Sequence, residues 1–173
     1  MESLEEMAKK VMIKMHTIPQ LAGLSIGQLE TIPLGYLRKN ATRLHAVCRY
    51  KRGVRKKNVT GPSDVNRVDV HPDAMSEKWS RYASFLLYHE FLHALGFTSH
   101  NQEFRKLEAL WPDTESQSMG KTFGKYLQDK SIKWHWQCPS CELKHSRTRK
   151  SNGRYRCRNC RIVLVDIPVK KGE

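Results

Sequence analysis

The feature that most constrains this 173-residue chain is a pair of CxxC motifs, Cys138-Pro-Ser-Cys141 and Cys157-Arg-Asn-Cys160, separated by fifteen residues. Four thiolates at that spacing suit a tetrahedral structural zinc held between two knuckles on β-hairpins. A segment of some 40 residues buries too little apolar surface to fold alone, so the metal must supply folding free energy. Four cysteines also close the coordination sphere, which removes this zinc from catalysis. The opening residues MESLEEMAKK place acids before bases and lead into no apolar run, so no secretory leader is expected and the thiols read as ligands rather than disulfides. A redox dithiol would need a thioredoxin-like βαβ pattern, which is missing. The fifth cysteine, Cys48, reads as a buried strand residue.

A second metal signature precedes the cysteines. His89-Glu90-Phe91-Leu92-His93 is an HExxH sequence inside an apolar run that predicts a helix. Residues four apart on a helix lie about 40° apart around the axis and one turn apart along it. His89 and His93 can therefore grip one zinc ion, with Glu90 beside them as a base for water. A catalytic zinc usually takes a third protein ligand, and His100 is the candidate, with Glu103, Glu108 and Asp113 as carboxylate alternatives. In a continued helix His100 would lie about 10 Å beyond His93, out of reach of a shared metal. The chain must therefore turn back after Gly96.

Charge supplies a third constraint. Lys and Arg number 31 against 17 Asp and Glu, a formal +14. Residues 131–173 hold 11 bases and 3 acids, so a quarter of the chain carries more than half of the excess. That pattern favours a polyanionic partner, nucleic acid before an acidic membrane surface. The candidate contacts are Lys144, Arg147, Arg149, Lys150, Arg154, Arg156 and Arg158 for phosphates, with Trp134, Trp136 and Tyr155 as stacking faces for unpaired bases. The same aromatics could instead fill the small core of the ribbon. A further basic run, Lys51 to Lys57, reads equally as a solvated loop.

Periodicity fills in the rest. Residues 3–15 predict an amphipathic helix with Ser3 as N-cap and Glu6 closing a capping box. Prolines and glycines punctuate an irregular or short-helical stretch over 19–35. Residues 43–50 and 66–71 alternate as two strands around a polar loop. A long helix is expected from an N-cap at Ser76 through residue 95, stopped by Gly96, with shorter helices over 101–110 and 115–129. The expected fold is α+β: a zincin-like HExxH helical metallopeptidase domain with a small β-hairpin or sheet over 1–130, then a small β zinc ribbon over 131–173.

The segment HEFLHALGFTSHNQEFRKLEALWP resembles the SprT-like metallopeptidases, relatives of the Spartan proteases. In that family HExxH is followed by a third His and then a Phe, as His100 and Phe104 are here. The ribbon with its YRCRNC segment strengthens the likeness. HExxHxxG also occurs in metzincins, but their third His falls where this chain has Ser99. The interval from HExxH to His100 is shorter than in many SprT-like members, and the first 40 residues match no pattern. The resemblance implies a DNA-dependent zinc endopeptidase acting on DNA-bound or DNA-crosslinked proteins, with two Zn2+ ions, one catalytic and one structural. Single-stranded or mixed single- and double-stranded DNA is the expected nucleic acid. A monomer is expected, intracellular and cytoplasmic, nucleoid-associated or nuclear, with no membrane partner. Two alternatives remain: a nucleic-acid-binding ribbon protein with an inactive zincin domain, or a DNA-independent metzincin-like peptidase.

Overall fold

Ser3 sets the first element. Its hydroxyl accepts the Glu6 N–H at 3.1 Å while Glu6 Oε2 accepts the Ser3 N–H at 2.8 Å, the reciprocal capping box expected there. Helix α1 (Leu4–His16) then buries Leu4, Met7, Ala8, Val11, Met12 and Met15 along one stripe. The computed structural model describes residues 2–169, so Met1 and residues 170–173, the outer ends of the two expected domains, lie outside it. The chain is α+β and divides into two compact units, 1–124 and 125–173. The division falls within a helix, a few residues before the boundary between 1–130 and 131–173 expected from the sequence. No helix among the described residues is long and apolar enough to cross a membrane.

The first unit contains a three-stranded sheet of β1 (Leu34–Tyr36), β2 (Ala46–Tyr50) and β3 (Val65–Val70) in the order β1-β3-β2. Strands β2 and β3 pair antiparallel, matching the two strands read from the alternating pattern. Strand β1 runs parallel to β3 and corrects the reading of 19–35 as wholly irregular or short-helical. It is three residues long with a glycine at its centre, too short to show an alternation. That glycine has a reason: a Cβ at Gly35 would come within 2.8 Å of Asp69 Oδ1. Asp69 is fully buried on β3 and is paired by Arg49 and Arg67, each at 2.6 Å.

Helix α2 (Ser80–Ala94) carries HEFLH and is buried on nearly every side. It starts later than the sequence predicts. Residues Glu77–Trp79 form a 3-10 turn, and the Ser76 hydroxyl donates to the Asp73 carbonyl instead of capping the helix. The stop is as expected. Gly96 takes φ +104°, its N–H donates to the His93 carbonyl, and the Phe97 N–H donates to the Leu92 carbonyl. This is a Schellman motif, which turns the chain and satisfies the last carbonyls. Asn101 then caps α3 (Gln102–Glu108) through the Phe104 N–H, and the Tyr88 hydroxyl pins α3 to α2 by donating to the Leu107 carbonyl at 2.5 Å. Helix α4 (Thr114–Ser131) follows. Its Gly120 and Gly124 let it approach Tyr82 and His45, where added Cβ atoms would come within 3.1 and 3.4 Å.

In the second unit, β4 (Trp134–Gln137) pairs antiparallel with both β5 (Lys144–Arg147) and β6 (Val165–Pro168). Its core is Trp136, Cys138, Cys157 and Leu164, with Trp134 and Cys160 packed against them.

Candidate metal centres

The two CxxC knuckles are built alike. The Cys138 N–H donates to the Leu143 carbonyl and the Glu142 N–H to the Cys138 carbonyl. In the second knuckle the Cys157 and Arg161 N–H groups make the corresponding bonds, to Ile162 and Cys157. Glu142 (φ +57°) and Arg161 (φ +60°) both adopt the left-handed conformation, at a cost of about 1–2 kcal/mol for a residue with a Cβ. The turns bring the four Sγ atoms within 4.8 Å of one another, with Cys141 and Cys157 Sγ 3.6 Å apart. Tetrahedral zinc with Zn–S bonds of about 2.3 Å places its sulfurs about 3.8 Å apart. The donor set supports a structural zinc. Backbone N–H groups of Cys160 and Asn159 lower the Cys157 thiol to about 7, toward the thiolate that a metal requires.

The first unit gathers His89, His93 and His100. Their ligand atoms lie within 4.8 Å of one another, with His100 Nε2 at 3.1 Å from His89 Nε2 and 3.0 Å from His93 Nε2. The outer ring nitrogens decide what these contacts are. His93 Nδ1 lies 2.7 Å from the Phe97 carbonyl, which only accepts, so Nδ1 carries the proton and Nε2 a lone pair. His89 Nδ1 lies 2.6 Å from Glu108 Oε1. Burial opposes ionisation of Glu108, but the bonds from His89 and Arg105 hold its carboxyl below the ordinary value, so it accepts as well. His89 and His93 therefore turn unprotonated Nε2 atoms inward, and one His100 proton cannot satisfy both. Three converging ring nitrogens, two of them with lone pairs turned inward, fit a cation, and the spacing approaches the roughly 3.3 Å between nitrogens of a tetrahedral zinc site.

The three imidazoles also share a packing partner. Phe104, fully buried on α3, stacks on His93 with centroids 4.7 Å apart and meets His89 and His100 edge-on at 4.9 and 4.8 Å. Burial lowers the His93 pKa to about 4, keeping the ring neutral at physiological pH. Glu90, next to His89, is 6% exposed, and burial raises its carboxyl to about 7, with His89 and then the Cys48 backbone acting in the opposite direction. A carboxyl at that value exchanges protons near neutrality. Cys48 lies on β2, one of the two edge strands of the sheet. Residues 43–48 and Tyr50 line an open cleft of about 670 Å³ together with the three histidines and Glu90.

The carboxylate alternatives to His100 resolve into other roles. Glu108 supports His89 from behind, Asp113 is paired with Arg81, and Glu103 is an exposed first-turn residue of α3. The family pattern singles out Phe104, and the sequence weighs Glu108 only as a ligand; the support that Glu108 and the Phe97 carbonyl give His89 and His93 is what the sequence does not show. That support emerges only once Gly96 has folded α3 back over α2.

Among the expected nucleic-acid contacts, Lys144, Arg147, Arg149, Lys150, Arg154, Arg156 and Arg158 are all exposed. Arg149, Lys150, Arg154 and Tyr155 line one shallow cleft of about 250 Å³. The aromatics divide. Trp136 is a core residue, 6% exposed, its Nε1–H donated to the Arg149 carbonyl and its ring stacked on Tyr155 at 4.5 Å, so the role of a stacking face for bases is corrected for it. Trp134 is half-buried with the Lys150 ammonium 4.6 Å from its ring centroid, and Tyr155 keeps one face exposed.

These features define a zinc-ribbon protein with a second, three-histidine cluster that could hold a metal ion. Residues 133–167 match the family model of the SprT-like zinc ribbon domain, which supports an SprT-like family member with a zinc ribbon. No curated protein and no solved structure matches the chain.

Proposed function

We propose that the first unit is a zincin-like metallopeptidase domain and that the chain is a zinc-dependent endopeptidase acting on DNA-bound or DNA-crosslinked proteins. The carrying observation is geometric: three histidine Nε2 atoms converge within 4.8 Å of one another beside the buried Glu90, in one open cleft. His89, His93 and His100 would hold the ion. When bound, zinc supplies Lewis acidity toward water and toward the scissile carbonyl. Glu90 takes a proton from the attacking water and passes it to the leaving amine. Edge strand β2 offers unpaired backbone along the cleft, where an extended peptide aligns by strand addition. Phe104, Glu108 and the Phe97 carbonyl keep the imidazoles in register.

DNA is the proposed partner because the exposed cations of the ribbon form a phosphate-binding surface, with Tyr155 and Trp134 for unpaired bases. The proposed setting is an intracellular compartment containing DNA, with the chain acting as a monomer. The test is cleavage of a basic DNA-binding protein with and without single-stranded and mixed-structure DNA, by the natural chain and by Glu90→Gln. The expected result is DNA-stimulated cleavage that falls with salt and drops about 10²–10⁴-fold in Glu90→Gln. DNA binding by both proteins with cleavage by neither would favour the binding-module reading.

A further inference from the structure

The loop between β2 and β3 holds five cations, Lys51, Arg52, Arg55, Lys56 and Lys57, and the structure singles out one of them. Lys56 opens the 3-10 turn Lys56–Asn58 and lines the cleft of His89, Glu90, His93 and His100. Its backbone is anchored. The Asn58 N–H donates to the Arg55 carbonyl at 2.8 Å, and Val59 is buried with its carbonyl 3.4 Å from where a Gly96 Cβ would stand. Thr60 then closes on Asp64 through its N–H and its hydroxyl, at 2.8 and 3.0 Å. The Lys56 turn is thus seated beside the glycine turn that leads to His100.

The charge balance of the cleft leaves Lys56 unpaired. Arg43, Lys56 and Arg105 line it against the carboxylates Glu90 and Glu108. Glu108 is taken up by His89 and Arg105, and Glu90 is buried beside His89. Among the described residues, neither Lys56 nor Arg43 enters an ion pair. The Lys56 charge is felt at Glu90, His93 and His100. An exposed ammonium on an anchored turn at the cleft wall favours a carboxylate on whatever peptide occupies the cleft. A phosphate backbone would track all five loop cations, whereas only Lys56 of the five lines the cleft.

We propose that Lys56 is a specificity-determining residue that selects peptides with an Asp or Glu side chain flanking the scissile bond. The proposal rests on the peptide-hydrolysis reading above, so its test includes a readout without hydrolysis. Matched fluorescent decapeptides carrying Glu, Gln or Lys at each position around one cleavage site are digested by the zinc-loaded chain and by Lys56→Glu and Arg52→Glu. Their affinities are measured in parallel with zinc-loaded Glu90→Gln, with and without Lys56→Glu. The expected result is about a tenfold preference for Glu over Gln at one flanking position at low salt, reversed toward Lys in Lys56→Glu and kept in Arg52→Glu. The same reversal is expected in the affinities. Hydrolysis without a Lys56-dependent preference overturns the proposal and leaves the peptidase reading intact. Lys56-dependent affinity without hydrolysis does the opposite. A Lys56→Glu variant that alters only DNA binding, or alters neither readout, overturns the proposal.

Discussion

The cysteine cluster and the histidine cluster gather candidate metal ligands by opposite routes. The cysteine centre is local: two short turns of one hydrogen-bond pattern supply all four ligands from within a small unit, and the metal closes its core. The histidine centre is assembled from a core helix, a glycine turn and the start of the next helix, and its ligands are positioned by second partners at Glu108, Phe97 and Phe104. Four thiolates leave no open position, whereas three imidazoles do. The first cluster therefore fits a stabilising ion, and the exchangeable, reactive one belongs to the function proposed for the second. The difference also separates what each centre does for folding. The first unit buries a large apolar core of its own, while the ribbon core amounts to Trp136, Leu164 and two metal-binding cysteines.

Breaking the comparison at its strong end gives the largest effect. Cys138→Ser removes a buried ligand, and structural zinc supplies about 10–16 kcal/mol of folding free energy in small zinc domains. Hydrogen exchange is expected to show loss of protection in β4, β5 and β6 with α1, α2 and β1–β3 still protected. Glu108→Gln tests the supporting partner of the histidine centre. It weakens the acceptor for His89 Nδ1, and zinc affinity of that centre is expected to fall about 10–100-fold in a chelator competition while the ribbon zinc stays bound. Gly96→Ala strains the turn between the second and third ligands. With φ at +104° and the Val59 carbonyl 3.4 Å from the new Cβ, the expected loss is about 1–2 kcal/mol in denaturant unfolding of the first unit.

The smallest effect is electrostatic. Arg81 holds the Asp113 carboxyl below its ordinary value of 3.8 through a bidentate contact. A depressed carboxyl contributes stability that is present above the unfolded pKa and lost as pH falls through the folded one. Arg81→Met is therefore expected to lower the melting temperature slightly at pH 6, with the gap to the natural chain closing below pH 4. The pair is solvent-exposed, which keeps the effect small.

Much of the histidine centre was legible because helix geometry converts a four-residue spacing into a shared face, and because Gly96 announced the turn that His100 needs. The cysteine centre was legible from spacing alone. Glu108 was weighed only as a rival ligand, because its role depends on α3 folding back, a contact between residues 19 apart. Trp134 and Trp136 stand two apart on the same face of β4 and carry the same composition signal; what separates them is depth, with Trp136 buried under Tyr155 and bonded to the Arg149 carbonyl, contacts between residues 13 or more apart. Lys56 looked like its neighbours in a basic run, and what distinguishes it is the anchoring of Val59 against Gly96. Strand β1 left no pattern because three residues around a glycine cannot alternate.

The most direct test of the two-centre account is the zinc content of the purified chain and of His100→Ala, measured by native mass spectrometry. The account predicts two zinc ions on the natural chain and one on His100→Ala, with the ribbon ion retained. A natural chain that holds a single ion, or a His100→Ala variant that still holds two as firmly as before, would contradict it.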